Sequence, residues 1–99
     1  METKYAVSQW IDDERGCANG SEDRHEFDTL EEATTFYKGI DLESRYKTLR
    51  RSDWRTAARI ACAKDLCEVR YNDDGERIDS EYNPIEYDEY SKADMEADA

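Results

Sequence analysis

The sequence predicts an α+β fold of ββ-α(α)-ββ type, with one antiparallel sheet covered on one face by two or three helices. Three observations predict it. The first dozen residues alternate apolar and polar side chains. A doubly capped amphipathic stretch follows Asp28, and an Asp-Asp-Gly turn near residue 74 separates two further alternating stretches.

Lys4 to Ile11 reads as a strand, with Tyr5, Val7 and Ile11 on one face and Ala6, Ser8 and Trp10 on the other. Residues 12–23 hold Gly16, Asn19, Gly20 and Ser21 among acids and read as a loop or wide turn. Arg24 to Phe27 reads as a short strand antiparallel to the first. Asp28-Thr29-Leu30-Glu31-Glu32 then offers two overlapping capping boxes, Asp28 with Glu31 and Thr29 with Glu32. Leu30, Ala33, Phe36, Tyr37 and Ile40 continue at helical spacing and Gly39 suits the end, so a helix spans about 29–38.

Leu42, Tyr46 and Leu49 suit a short second helix. Ser52 can cap a third, whose face of Trp54, Ala57, Ala58 and Ala61 carries it to about Lys64. Leu66 to Asn72 reads as a strand and Asp73-Asp74-Gly75 as a hairpin turn. Arg77 to Tyr82 is the returning strand, ended by Pro84.

The 99 residues suit one domain, assigned to 1–90, with 91–99 as an acidic mobile tail. Only 37% of residues are hydrophobic and 40% are charged, a composition near the border of disorder. Eleven aromatic residues supply the area that a small core needs to bury. Met1-Glu2-Thr3-Lys4 lacks the basic and apolar regions of a signal peptide, and no apolar run is long enough to span a membrane. The expected location is the cytoplasm, where the three cysteines would stay reduced.

The formal net charge of −12 repels nucleic acid and anionic membranes and attracts basic surfaces. The charge is segregated. Residues 1–43 carry 12 acids against 4 bases, residues 44–72 carry 3 against 8, and residues 73–99 carry 11 against 2. The basic middle, Arg45, Lys47, Arg50, Arg51, Arg55, Arg59, Lys64 and Arg70, either binds its acidic neighbours within the fold or forms a second contact surface for a phosphate backbone or an acidic partner.

No catalytic constellation appears. His25, the only histidine, is paired with no nucleophile, and phosphate- and dinucleotide-binding fingerprints are missing. Cys17, His25, Cys62 and Cys67 could in principle give four zinc ligands, but their spacing fits no zinc knuckle. Asn72-Asp73-Asp74-Gly75 has a calcium-loop flavour, but Arg70 would stand at the first ligand position. We therefore expect no enzyme, no metal and no cofactor.

The candidate partner-binding residues are Asp73, Asp74, Glu76, Asp79, Glu81, Glu86, Tyr87, Asp88, Glu89 and Tyr90. Carboxylates present acceptor oxygens to an arginine fork as phosphates do, and tyrosine rings stack on guanidinium planes. The same acids also suit a solvated strand edge that discourages pairing.

The size, the opening strand Lys4-Tyr5-Ala6-Val7, the join Glu26-Phe27-Asp28-Thr29-Leu30-Glu31-Glu32-Ala33 and the acidic hairpin Asn72-Asp73-Asp74-Gly75-Glu76 together resemble small phage and mobile-element proteins of the anti-CRISPR and anti-restriction type. The resemblance implies a stoichiometric inhibitor that binds a basic nucleic-acid-handling surface, such as a CRISPR effector, and blocks engagement of DNA or guide. It assigns no individual residue, and the basic middle departs from a uniform DNA mimic. On this reading the chain touches neither nucleic acid nor membrane directly and is a monomer or homodimer. The other reading is an acidic adaptor or self-associating module, anchored by Trp10, Trp54 and the tyrosines.

Overall fold

The computed structural model describes residues 2–13, 23–78 and 81–97. Nine elements follow in the order β1 (Glu2–Asp13), β2 (Asp23–Phe27), α1 (Leu30–Gly39), α2 (Leu42–Ser52), α3 (Trp54–Ala57), β3 (Ile60–Tyr71), β4 (Arg77–Ile78), β5 (Glu86–Ser91) and α4 (Lys92–Ala97). The class is α+β, with an antiparallel sheet and a few helices.

The long strands β1 and β3 form the spine and pair antiparallel from Glu2↔Tyr71 to Asp13↔Ile60. β2 flanks β1, with Val7 opposite His25. The other side of β3 is shared: β4 pairs at Arg70 and Tyr71, and β5 pairs along Ala61–Leu66. β5 is therefore an edge strand, and among the described residues no further strand pairs with it.

Side chains alternate between the two faces of the sheet. One face carries Tyr5, Val7 and Ile11 of β1, Phe27 of β2, Ile60, Cys62 and Leu66 of β3, and Tyr90 of β5. These residues meet the helices in two adjoining clusters. Leu42, Tyr46, Ala57, Ile60 and Cys62 form one, and Val7, Ala33, Tyr37 and Leu66 form the other. The core thus lies between the sheet and the helical layer.

The opposite face carries the small residues Ala6, Ser8 and Ala63, all buried, with the larger rings beside them. Trp10 stands across from Ala63 and its ring lies 6.1 Å from that of Tyr87. Buried Asp65 on this face accepts a hydrogen bond of 2.7 Å from the Tyr82 hydroxyl. Every buried side-chain nitrogen and oxygen among the described residues has a hydrogen-bond partner, as a small domain requires.

The helices begin where side chains cap them. Thr29 accepts from the Glu32 amide at 3.2 Å, Asp41 from that of Ser44 at 3.0 Å, and Asp53 from that of Thr56 at 3.1 Å. Of the two overlapping capping boxes, the fold uses Thr29 with Glu32. Asp28 instead binds Lys4 at 3.1 Å. Gly75 closes the predicted turn at φ 80, the left-handed region that favours glycine, while the Asn72 side-chain oxygen accepts from the amides of Asp74 and Glu76.

Four expectations are corrected. The third helix does not reach Lys64: it ends at Ala57, and β3 begins at Ile60. Alanine's helix propensity is a few tenths of a kcal/mol per residue and yields to twelve residue pairs with β1. The returning strand is confined to Arg77–Ile78 among the described residues, and 81–85 run outside any strand before β5. No element was expected between Pro84 and the tail at residue 91, and β5 forms there. Residues 92–97 are helical, and Met95 packs on the core. The loop expected over 12–23 lies outside the described residues except at its ends, which belong to β1 and β2.

Candidate partner-binding surface

The acidic candidates divide into two groups. Asp73, Asp74 and Glu76 sit in the β3–β4 turn and are exposed. Glu86, Tyr87, Asp88, Glu89 and Tyr90 lie on β5. Leu66, opposite Glu86, is five residues from Tyr71 along β3, so the groups are roughly 17 Å apart. Glu81 lies between them in a groove shared with Cys67, Arg70, Arg77 and Tyr82. Asp79 lies outside the described residues.

On β5 the strand period sends neighbours to opposite faces. Glu86, Asp88 and Tyr90 face the helical layer, and Tyr87 and Glu89 face the other way. Asp88 accepts a 2.5 Å hydrogen bond from the Tyr37 hydroxyl. Burial, and after it this bond, holds the Tyr37 phenol well above its ordinary range, so Tyr37 stays a proton donor. Tyr90 packs its ring 5.6 Å from that of Tyr46, inside the helical side of the core. Asp88 and Tyr90 thus fasten β5 to the body.

The remaining described acids of the set are exposed. Asp74, Glu76, Glu81 and Glu86 form no ion pair with any described residue, and Glu89 accepts from the Tyr87 hydroxyl at 3.2 Å. The β5 edge therefore carries carboxylates on both faces and, among the described residues, an open backbone side. Chemically it can accept hydrogen bonds from lysine or arginine, and the same charges oppose pairing with another strand.

The basic middle divides as well. Arg59 pairs with Asp13 at 3.3 Å, Lys47 with Glu43 at 2.6 Å and Arg70 with Glu68 at 2.8 Å. Lys64 is only 8% exposed and donates to the Tyr37 and Ile40 carbonyls at 2.7 and 3.0 Å. Arg50, Arg51 and Arg55 join no ion pair among the described residues. They lie beside Trp54, which the sequence places on one helix face with Ala57, Ala58 and Ala61 and which is 65% exposed.

The residues weighed for chemistry stay apart. Cys62 and Cys67 project from opposite faces of β3, and Cys17 lies outside the described residues. Burial, with Asp65 adding to it, pushes the Cys67 thiol up to about 11, so it is a thiol and not a nucleophilic thiolate near neutrality. His25 lies against Phe36, ring centres 4.9 Å apart, and touches Asp23 at 3.2 Å. No group of three or more candidate metal ligands occurs among the described residues, and no helix is long and apolar enough to cross a membrane. Comparison with protein-family models, with curated proteins and with solved structures finds no match for this chain.

Proposed function

We propose that the chain is a stoichiometric protein inhibitor of the anti-CRISPR type. Its acidic β5 edge and β3–β4 turn occupy a basic, nucleic-acid-handling surface of a bacterial defence complex and exclude DNA or guide from it. One observation carries this reading: Glu86 on the edge strand and Asp74 and Glu76 in the turn are exposed carboxylates without an ion-pair partner among the described residues, and they are mounted on one sheet. Two groups of acids held on a folded scaffold, with no ion-pair cation among the described residues, present a preorganised surface to arginine and lysine, which raises encounter rate and specificity. Tyr87, 43% exposed beside Glu89, adds a flat ring that can stack on guanidinium. No nucleophile, general base or metal is required, and the chain works by occupancy alone.

The test is capture from a bacterial lysate on the immobilised full chain at low and high salt, followed by mass spectrometry. We expect nucleic-acid enzymes, CRISPR effectors foremost, to be retained at low salt, released at high salt and displaced by DNA or guide RNA. A variant with Asp74, Glu76, Glu86 and Glu89 all reversed to lysine should retain none of them. Asp88 is left intact because it holds Tyr37. Salt-resistant partners unconnected with nucleic acid, or full capture by the reversed variant, would overturn the proposal.

A further inference from the structure

The basic middle contains a surface that the fold does not consume. α2 ends in Arg50 and Arg51, Asp53 breaks the helix and caps α3, and Trp54 and Arg55 open α3. Lys47, Arg50, Arg51, Trp54 and Met95 line one groove there. The Arg55 guanidinium lies over the indole of Trp54, 5.3 Å from the ring centre. Arg50 donates to the sulfur of Met95 and Arg51 to the Thr48 hydroxyl, both at 3.4 Å.

The neighbouring acids make these free arginines informative. Glu43 is committed to Lys47 at 2.6 Å, Glu96 to Lys92 at 3.6 Å, and Asp53 to the Thr56 amide and hydroxyl. Acids outnumber bases 26 to 14 in this chain, yet three adjacent guanidinium groups are left without a carboxylate among the described residues. An exposed indole stands in their midst. Unneutralised cations around a flat, accessible ring match a ligand that alternates anion and aromatic plane.

We propose that this surface takes a short single-stranded stretch of nucleic acid, one base stacking on Trp54 while the flanking phosphates meet Arg50, Arg51 and Arg55. An acidic peptide would satisfy the arginines but has no need of the ring. A duplex would need a longer basic track than three arginines supply. The net charge of −12 opposes any extended polyanion, but the reach of that opposition is short. The acidic turn lies at the far end of β3 from α3, eleven residues or roughly 36 Å away. The Debye length at physiological ionic strength is about 8 Å. Glu89 lies on the opposite face of the sheet from the helices, Asp88 on the helical face is bound to Tyr37 of α1, and the acids beside the patch, Glu43, Asp53 and Glu96, are each engaged locally. The expectation that the molecule as a whole avoids nucleic acid thus leaves this one patch as an exception, and the inference is independent of the acidic-edge inhibitor reading.

The test is fluorescence anisotropy of labelled oligothymidylate and oligouridylate of about ten nucleotides, titrated with the full chain across a salt series. We expect saturable binding whose logarithm falls with the logarithm of salt at a slope near −2, for about three phosphates at −0.7 each. Trp54→Ala should weaken binding about ten-fold, and Trp54→Phe should restore most of it. The triple change of Arg50, Arg51 and Arg55 to alanine should remove binding; these are exposed or surface-groove positions, and circular dichroism checks that each variant is folded. Glu86→Lys with Glu89→Lys should leave oligonucleotide binding intact, which separates failure here from failure of the inhibitor reading. The inference is overturned by absence of binding at low salt, by duplex of equal length binding as well as single strand, or by polyglutamate competing equally while Trp54→Ala has no effect.

Discussion

Lys64 shows how a single residue joins sheet and helices. Its stem crosses the core from β3, and its ammonium lies 4.1 Å from the ring centre of Tyr37 while binding two carbonyls where α1 ends. The Tyr37 carbonyl also accepts the closing amide bond of the helix from Ile40 at 3.2 Å, and a cation at a helix C-terminus meets the negative end of the dipole. Lys64→Met keeps most of the volume and removes the donors. It should lower stability by about 1–3 kcal/mol, seen as a lower urea midpoint at unchanged slope. Tyr37 and Tyr46 add a pH dependence. Burial, first of all, raises both phenols above their ordinary value of 10.0, helped at Tyr37 by Asp88. A group whose folded pKa lies above its unfolded value stabilises fully below the unfolded value and loses that contribution as pH climbs towards the folded one. The melting temperature should therefore fall from about pH 10 upward, and the fall should be shallower in Tyr37→Phe.

At the scale of the element, local signals decided the starts of helices and tertiary pairing decided where strands run. Thr29 forms its box with Glu32, and its hydroxyl also meets the Glu32 carboxylate at 2.9 Å. Thr29→Ala should cost about 1 kcal/mol, measured by chemical denaturation. The α1 helix was legible because capping and the stripe of Leu30, Ala33, Tyr37 and Ile40 act over three or four residues. β3 was half hidden. Ile60, Cys62, Lys64 and Leu66 alternate towards the helices, but alanines at 61 and 63 occupy the other face and imitate a helical stripe. Only Trp10 lying across from Ala63 explains why a small residue is needed there. β5 was missed because Tyr87 and Tyr90 are three apart, and each packs on a different face, one on Trp10 and one on Tyr46. α4 did carry a signal, Ser91-Lys92-Ala93-Asp94, in which the Asp94 carboxylate accepts from the Ser91 amide at 2.9 Å, the return half of a capping box.

Among the described residues, charge is sorted in space as it is in sequence, with acids along β5 and the β3–β4 turn and arginines without ion pairs around Trp54. A net charge of −12 on one small domain repels itself. Raising salt from low to physiological strength should therefore raise the melting temperature. Replacing Glu86 and Glu89 by lysine should raise the low-salt melting temperature too, and blunt its salt dependence, while abolishing capture of a basic partner. Scanning calorimetry across a salt series, run beside the capture assay, reads both effects. A gain in stability with a loss of binding is the signature of acids held for a partner and not for the fold.

The sequence by itself determined the α+β class, the first strand, the capped α1 helix, the Asn72–Gly75 turn and the order of acidic, basic and acidic segments. These follow from interactions within about four residues or from composition, which the chain carries wherever it folds. Tertiary structure alone decided that residues 60–65 are strand, that β5 is an edge, that Asp88 and Tyr90 face the helical layer, and that Arg59 and Lys64 are spoken for while Arg50, Arg51 and Arg55 have no carboxylate among the described residues. Strand pairing joins residues dozens apart, and a strand's two faces are told apart only by what packs on each. Which charges remain free is settled only when every other charge has found its neighbour.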